Sequence, residues 1–287
     1  MCYYDVRFSA LLLWVLGTPC FLVAASPEAR EASTLTWHDD YTHAYSVAAE
    51  AKKLLLVNFV PTEPAEVQSQ VEDYIATHPE VQRQLAACVL VRVPSGSELH
   101  AHRAFAGLGG SAGFVVVDLA HEDKPYTGRV VSAFPFASGK YYRWRPAYLP
   151  AMLVLPSGTL TQRTMVWAVR SHADHPESTD GEVSEVLLEA AGSHSAYQAR
   201  IGVQGHHQFS TRSSQLRGQL GTGGTMSEVV AQSWSNQSMI DSCIDAVKSW
   251  RHSSGHWGQV RRRHTFYGYD IRLGRNGIWY ATGIFSG

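Results

Sequence analysis

Side chains able to chelate a metal, move a proton or activate a nucleophile gather toward the C-terminal end of the chain. The pair His206-His207 follows Gly205, Glu228 stands in Thr225-Met226-Ser227-Glu228, and His252 and His256 bracket Ser253, Ser254 and Gly255. Imidazole nitrogen and carboxylate oxygen both suit zinc, and a serine beside a histidine supplies the parts of a nucleophile and its base. Taken locally, each has a plainer role. Thr225 to Glu228 spells a T-x-x-E helix cap opening a short apolar segment, His206-His207 forms a polar helix end, and His256 bonds to the loop after Gly255. Adjacency of Ser253 and Ser254 to histidines does not make a triad, which needs a base oriented by a third group. His172, Asp174 and His175 offer further donors, but from a loop where H-x-x-H reads as solvent-facing.

Sulfur gives less. Of the cysteines, Cys2 and Cys20 fall in an N-terminal segment where Arg7 precedes an apolar stretch from Phe8 to Ala25 and small residues follow at Val23-Ala24-Ala25-Ser26. That pattern predicts a secretory signal over residues 1–26, cleaved near Pro27, and an exported product: periplasmic, cell-surface or secreted. An uncleaved anchor competes, because the stretch meets the lower edge of the ~17 to 25 residues that span a bilayer. Pro19 and the small-residue exit favour cleavage, and no transmembrane span remains afterwards. The mature chain keeps Cys88 and Cys243, both in apolar company and neither in a C-x-x-C, so core packing is expected. A bridge between them stays open.

The elements that must position these groups fit the composition. A chain of 287 residues that is 45% hydrophobic can fill about two cores at the usual ~100 to 200 residues per domain. The net charge of -1 leaves no global field for nucleic acid or an anionic membrane, so any such binding must be local. Residues 35–155 read as alternating helix and buried strand. A helix from Asp40 to Lys52 feeds the apolar run Leu54 to Val60, a helix follows over 65–86, and strands come at 88–93, 113–118 and 129–134. A Trp and Tyr ahead of an Ala-rich helix, then Lys52-Lys53-Leu54-Leu55-Leu56-Val57-Asn58-Phe59, then a loop opening a long helix, resembles the thioredoxin-like superfamily. The resemblance implies a three-layer α/β domain. The family's C-x-x-C place holds Val60-Pro61-Thr62-Glu63-Pro64, and Gly109 to Gly113 lacks the family's proline, so the resemblance implies the fold without the redox chemistry.

Residues 156–287 differ in texture. Met165, Val166 and Val169 predict one amphipathic helix, and Val183, Val186, Leu187, Ala190, Ala191, His194 and Tyr197 predict another, ending at Gly202 to Gly205. A Gly-rich loop leads to the Thr225 cap, Ser238 to Asp241 repeats the device ahead of a helix stopped at Ser253-Ser254-Gly255, and a hairpin turns at Gly274 to Gly277. Helix, His, Glu, helix, Gly-His and a hairpin ending Tyr280-Ala281-Thr282-Gly283-Ile284-Phe285 resembles the CAP superfamily, the SCP-like, cysteine-rich secretory, antigen 5 and pathogenesis-related proteins. The resemblance implies an α-β-α sandwich whose cleft brings together His206 or His207, Glu228 and His256, a donor set suited to zinc. Ser253 stands where many members carry a second Glu, and Val229 where they carry Asn, so a four-residue acid and histidine site is incomplete.

The sequence reading is therefore an α/β protein, exported and non-redox, that binds a protein, glycan or lipid ligand. A metal-assisted hydrolase using the same cleft is the alternative, and an accessory of a thiol-disulfide oxidoreductase system the second. Arg261, Arg262 and Arg263, with aromatic residues nearby, are candidates for an anionic ligand. Export argues against nucleic acid. Since Val60 to Pro64 supplies no attacking thiol, the purified protein should not turn over in an insulin-reduction assay. Turnover abolished by Cys88→Ser would contradict this.

Overall fold

Apolar runs of β-branched residues build the first of two sheets in the computed structural model, which describes residues 35–63, 65–221 and 223–287. The segment read as an export signal lies outside the described residues. The order is β1 (Trp37–His38), α1 (Tyr41–Glu50), β2 (Leu55–Val60), α2 (Glu66–Thr77), α3 (Pro79–Ala86), β3 (Val89–Pro94), β4 (Gly113–Val117) and β5 (Val130–Pro135). The strands line up as β1-β3-β2-β4-β5, parallel among the first three and antiparallel across β2-β4 and β4-β5. Side chains alternate between faces. Leu55, Val57 and Phe59 pack with Ala44 and Ala48 of α1, whereas Leu56 packs with Val71, Val81 and Leu85 of α2 and α3. Residues 65–86 are two helices rather than one, because Pro79 cannot continue α2 but suits the first position of α3.

The second sheet follows α4 (Tyr148–Leu153) and α5 (Leu160–Arg170). Its order of elements is β6 (Glu182–Val183), α6 (Glu185–Ile201), α7 (Phe209–Leu220), β7 (Met226–Gln232), α8 (Met239–Arg251), α9 (Ser254–Val260), β8 (Phe266–Leu273) and β9 (Trp279–Ser286), with strands arranged β6-β8-β9-β7. The chain is an α/β protein. Helix α6 lies so close to β8 that a Cβ at Gly268 would collide with the Leu187 backbone. One local reading is corrected. Thr225 to Glu228 caps no helix: Met226 to Gln232 pairs along its whole length with β9, and strand pairing overrides a four-residue cap signal. Helix α8 stops at Arg251, just ahead of Ser253-Ser254-Gly255 as expected, and a separate short helix, α9, begins at Ser254 and carries His256.

Helix α5 is not amphipathic. Arg163 through Val169 are all buried, because α5 packs against β5 of the first sheet and against α8 and β8 of the second. One apolar cluster runs from Leu56 and Phe114 through Met165 and Trp167 to Trp250, Tyr269 and Phe285. Among the described residues no helix is long and apolar enough to cross a membrane.

A polar clamp crosses the same seam. The Asp241 carboxylate at the start of α8 accepts from the backbone N–H of Lys140 (3.2 Å), Tyr141 (2.8 Å) and Tyr142 (2.7 Å). Gly139 leaves room for it, since a Cβ there would overlap Asp241 Oδ2. Asp241→Ala strands three donors and should cost about 3 kcal/mol, read as a lowered urea midpoint at unchanged slope. A loss below about 0.5 kcal/mol would mean that water replaces the carboxylate.

Candidate functional site

Glu228 is the third of seven residues in β7, and its side chain is completely buried. A charge so placed needs compensation from within the protein. Arg212, one turn into α7, donates to Oε2 from Nε (3.2 Å) and from Nη2. His206 donates from Nδ1 to Oε1 at 3.0 Å. A third group, His194 on the inner face of α6, has Nε2 3.7 Å from Oε1.

The loop carrying His206 is seated by α6. Gly202 ends that helix in the left-handed conformation. The Gly205 carbonyl then accepts from His194 Nε2 (2.9 Å), and its N–H donates to Gln198 Oε1 (3.0 Å). With Nδ1 committed to Glu228, His206 presents Nε2 outward, 3.2 Å from Nε2 of His256. Bonds of ~2.0 to 2.1 Å at a tetrahedral angle set two ligand nitrogens about 3.3 Å apart, so the pair has the separation of two zinc ligands. Burial, with the neighbouring His206 adding to it and Glu228 opposing, holds the His256 imidazole below its ordinary pKa.

The four cleft candidates thus do not converge as one ligand set. His206 and His256 meet, and Glu228 stands behind His206 as the carboxylate that orients it rather than as a ligand. His207 turns the other way: its Nε2 bonds to the Val203 carbonyl at 3.3 Å and its ring packs on Tyr197, lining a cavity of about 340 Å³ between α6 and α7. Among the described residues no group of three or more His, Cys, Asp and Glu side chains could hold a metal ion.

The remaining candidates disperse. Asp174 pairs with Arg251, and His172 accepts from the Asp174 N–H while its ring lies 5.0 Å from that of Trp257. Among the described residues no hydrogen bond joins Ser253 or Ser254 to a histidine ring. Arg261, Arg262 and Arg263 are exposed beyond α9, but Arg263 shares a shallow depression with Asp180 and Glu182, which offset its charge. Cys88 and Cys243 are free thiols, and burial pushes the first up to about 11 and the second well up.

His194 and Arg212 went unrecognised as site residues. His194 had a signal, a histidine on the apolar stripe of a helix; Arg212, in a polar helix with little periodicity, had none.

Burial holds His194 below its ordinary pKa, with Glu228 working against the shift. The folded chain therefore binds fewer protons here than the unfolded chain. Its stabilising contribution is complete above about pH 6.5, the unfolded value, and is lost as pH falls through the folded value. Melting temperature should drop between about pH 7 and pH 5, and His194→Gln, which keeps a donor for Gly205, should flatten part of that slope. An unchanged slope would assign it elsewhere.

No protein-family model matches the chain, and no curated protein is significantly similar to it, so the chemistry of this cleft is read from its own geometry.

Proposed function

We propose that the chain is an exported, non-redox binding protein in which a thioredoxin-like half without its cysteine pair supports a CAP-like half, and that ligand is held at the cleft between His206 and His256. One observation carries this reading: His206 is fixed between Glu228 on one ring nitrogen and His256 on the other. The imidazole is therefore held in one tautomer and one orientation, as a binding group must be.

The same geometry weighs against the hydrolase. Hydrolysis by a metal-bound or free water needs a base within reach of its proton. Glu228 is buried with one oxygen on His206 and the other on Arg212, which leaves the His256 imidazole as the base on offer, and among the described residues no hydrogen bond other than that to His206 orients its ring. A resident zinc ion also requires three protein ligands, and the cleft offers two imidazoles. An oxidoreductase accessory role has less support, because desolvation raises both the partly buried Cys88 and the buried Cys243, so neither yields thiolate near neutral pH.

Zinc titration by calorimetry and hydrolysis of p-nitrophenyl acetate test both readings together. Zinc should bind weakly to the wild type, lose about tenfold or more in affinity in His206→Ala, His256→Ala and Glu228→Gln, and be unaffected by His207→Ala. No ester turnover should depend on His256. Zinc-stimulated turnover abolished by His256→Ala would establish the hydrolase, and zinc binding indifferent to both His206 and His256 would remove the cleft.

A further inference from the structure

The end of the second sheet where β8 turns into β9 gathers most of the exposed large apolar side chains. Trp234 is 69% exposed, Leu273 54%, Val203 51% and Ile201 40%; the fifth among the described residues, Val154, lies elsewhere. These four come from three segments that meet at the 274–277 turn. Asn236 N–H donates to the Gly277 carbonyl at 2.9 Å, and Ser235 Oγ to the Asn276 carbonyl at 3.3 Å. On the other side Gly202 abuts the Asn276 side chain, only 3.5 Å from where a Cβ would stand.

The charge around this rim has one sign. Segments 196–208, 230–237 and 271–279 contain no Asp or Glu, and Arg200 and Arg275 within them are exposed. Lys140 reaches over the Trp234 ring at 5.9 Å, and Lys248 over Tyr141 at 4.1 Å. None of these four cations forms an ion pair among the described residues. Of the neighbouring acids, Asp241 and Asp270 are buried and committed to the backbone of 140–142 and to Arg272, and Asp245, one turn before Lys248 on α8, is buried as well.

The geometry points to an interfacial docking surface for an anionic phospholipid bilayer. Apolar side chains at the tips of a turn, a loop and a helix end enter the headgroup layer without unpairing any strand, and a Trp flanked by Lys and Arg is the composition that such a layer favours. Four unpaired cations match phosphate and carboxylate headgroups, so contact is local and salt-sensitive although the whole chain is nearly neutral. A protein partner would more naturally face a flat patch with a polar rim of both signs.

Co-sedimentation of the full chain with vesicles tests this. Phosphatidylcholine containing about one third phosphatidylglycerol should bind about tenfold better than phosphatidylcholine alone, and salt should release the protein. The pair Trp234→Ser with Leu273→Ser, and the pair Lys140→Glu with Arg275→Glu, should each weaken binding about tenfold, while Val154→Ser should not. Because another part of the chain could hold vesicles, bromine-labelled acyl chains supply a second reading: they should quench the emission that is lost in Trp234→Phe. Equal binding by wild type and both double variants, no vesicle binding, or unquenched Trp234 emission would each overturn the proposal. Self-association abolished by the same substitutions, without vesicle binding, would assign the surface to a protein contact instead.

Discussion

Helix α5 has no side left for water, and the two sheets are arranged around that fact. Seven consecutive residues, Arg163 to Val169, are buried, which requires protein on every side of the helix. The first sheet covers it through β5, and the second through α8 and β8. The most demanding member of the run is Arg163, which has no carboxylate partner among the described residues. Its guanidinium is satisfied by Ser132 Oγ and by the carbonyls of Met152, Leu155 and Pro156. Burial lowers its pKa to about 10, so it remains charged at neutral pH and must keep all of these acceptors. The connection between the halves is thereby bound to the helix that both halves bury, and Asp241 ties the same halves together from the other end of the seam.

Glu228 applies the same rule on a smaller scale, with different consequences for function. Its compensation draws one group each from α6, the loop after it, and α7, so three separate pieces of chain converge on β7. The orientation of His206 follows from satisfying a buried charge. The Glu228 carboxylate has no exposed surface from which to reach a water, and both ring nitrogens of His206 are engaged, by Glu228 and by His256, so the cleft is better built to hold something than to cleave it.

What the sequence makes legible depends on how local the deciding interaction is. The apolar runs of β2, β3 and β4, the hairpin β8-β9 and the stripe on α6 are periodic over many residues, and each lies within a few positions of its expected bounds. The T-x-x-E at Glu228 fails because its competitor, pairing with β9, comes from a strand far along the chain. Asp241 is readable as a cap, through Ser238, but not as the acceptor of three N–H groups about a hundred residues earlier. Whether His206 or His207 faces the cleft is undecidable from adjacency, since neighbouring side chains diverge, and His206 is drawn to the buried Glu228 while His207 turns back to the Val203 carbonyl. Arg212 has no pattern at all, because its role exists only once Glu228 is buried.

The two histidines of the cleft are not equally anchored. Helix α6, which seats the His206 loop through His194 and Gln198, is itself tied to the second sheet by polar bonds. Ser195 donates to the Asp270 carbonyl, and Gln198 Nε2 to Thr282. His206 is thus two bonded steps from the centre of a sheet. His256 rides on the seven-residue α9, whose N-cap Ser253 makes no side-chain cap bond. Its ring contacts His206, with no other hydrogen bond among the described residues. A short helix without its cap holds its first turn weakly. Accommodation of a ligand between the rings should therefore be taken up at His256, with His206 as the fixed jaw.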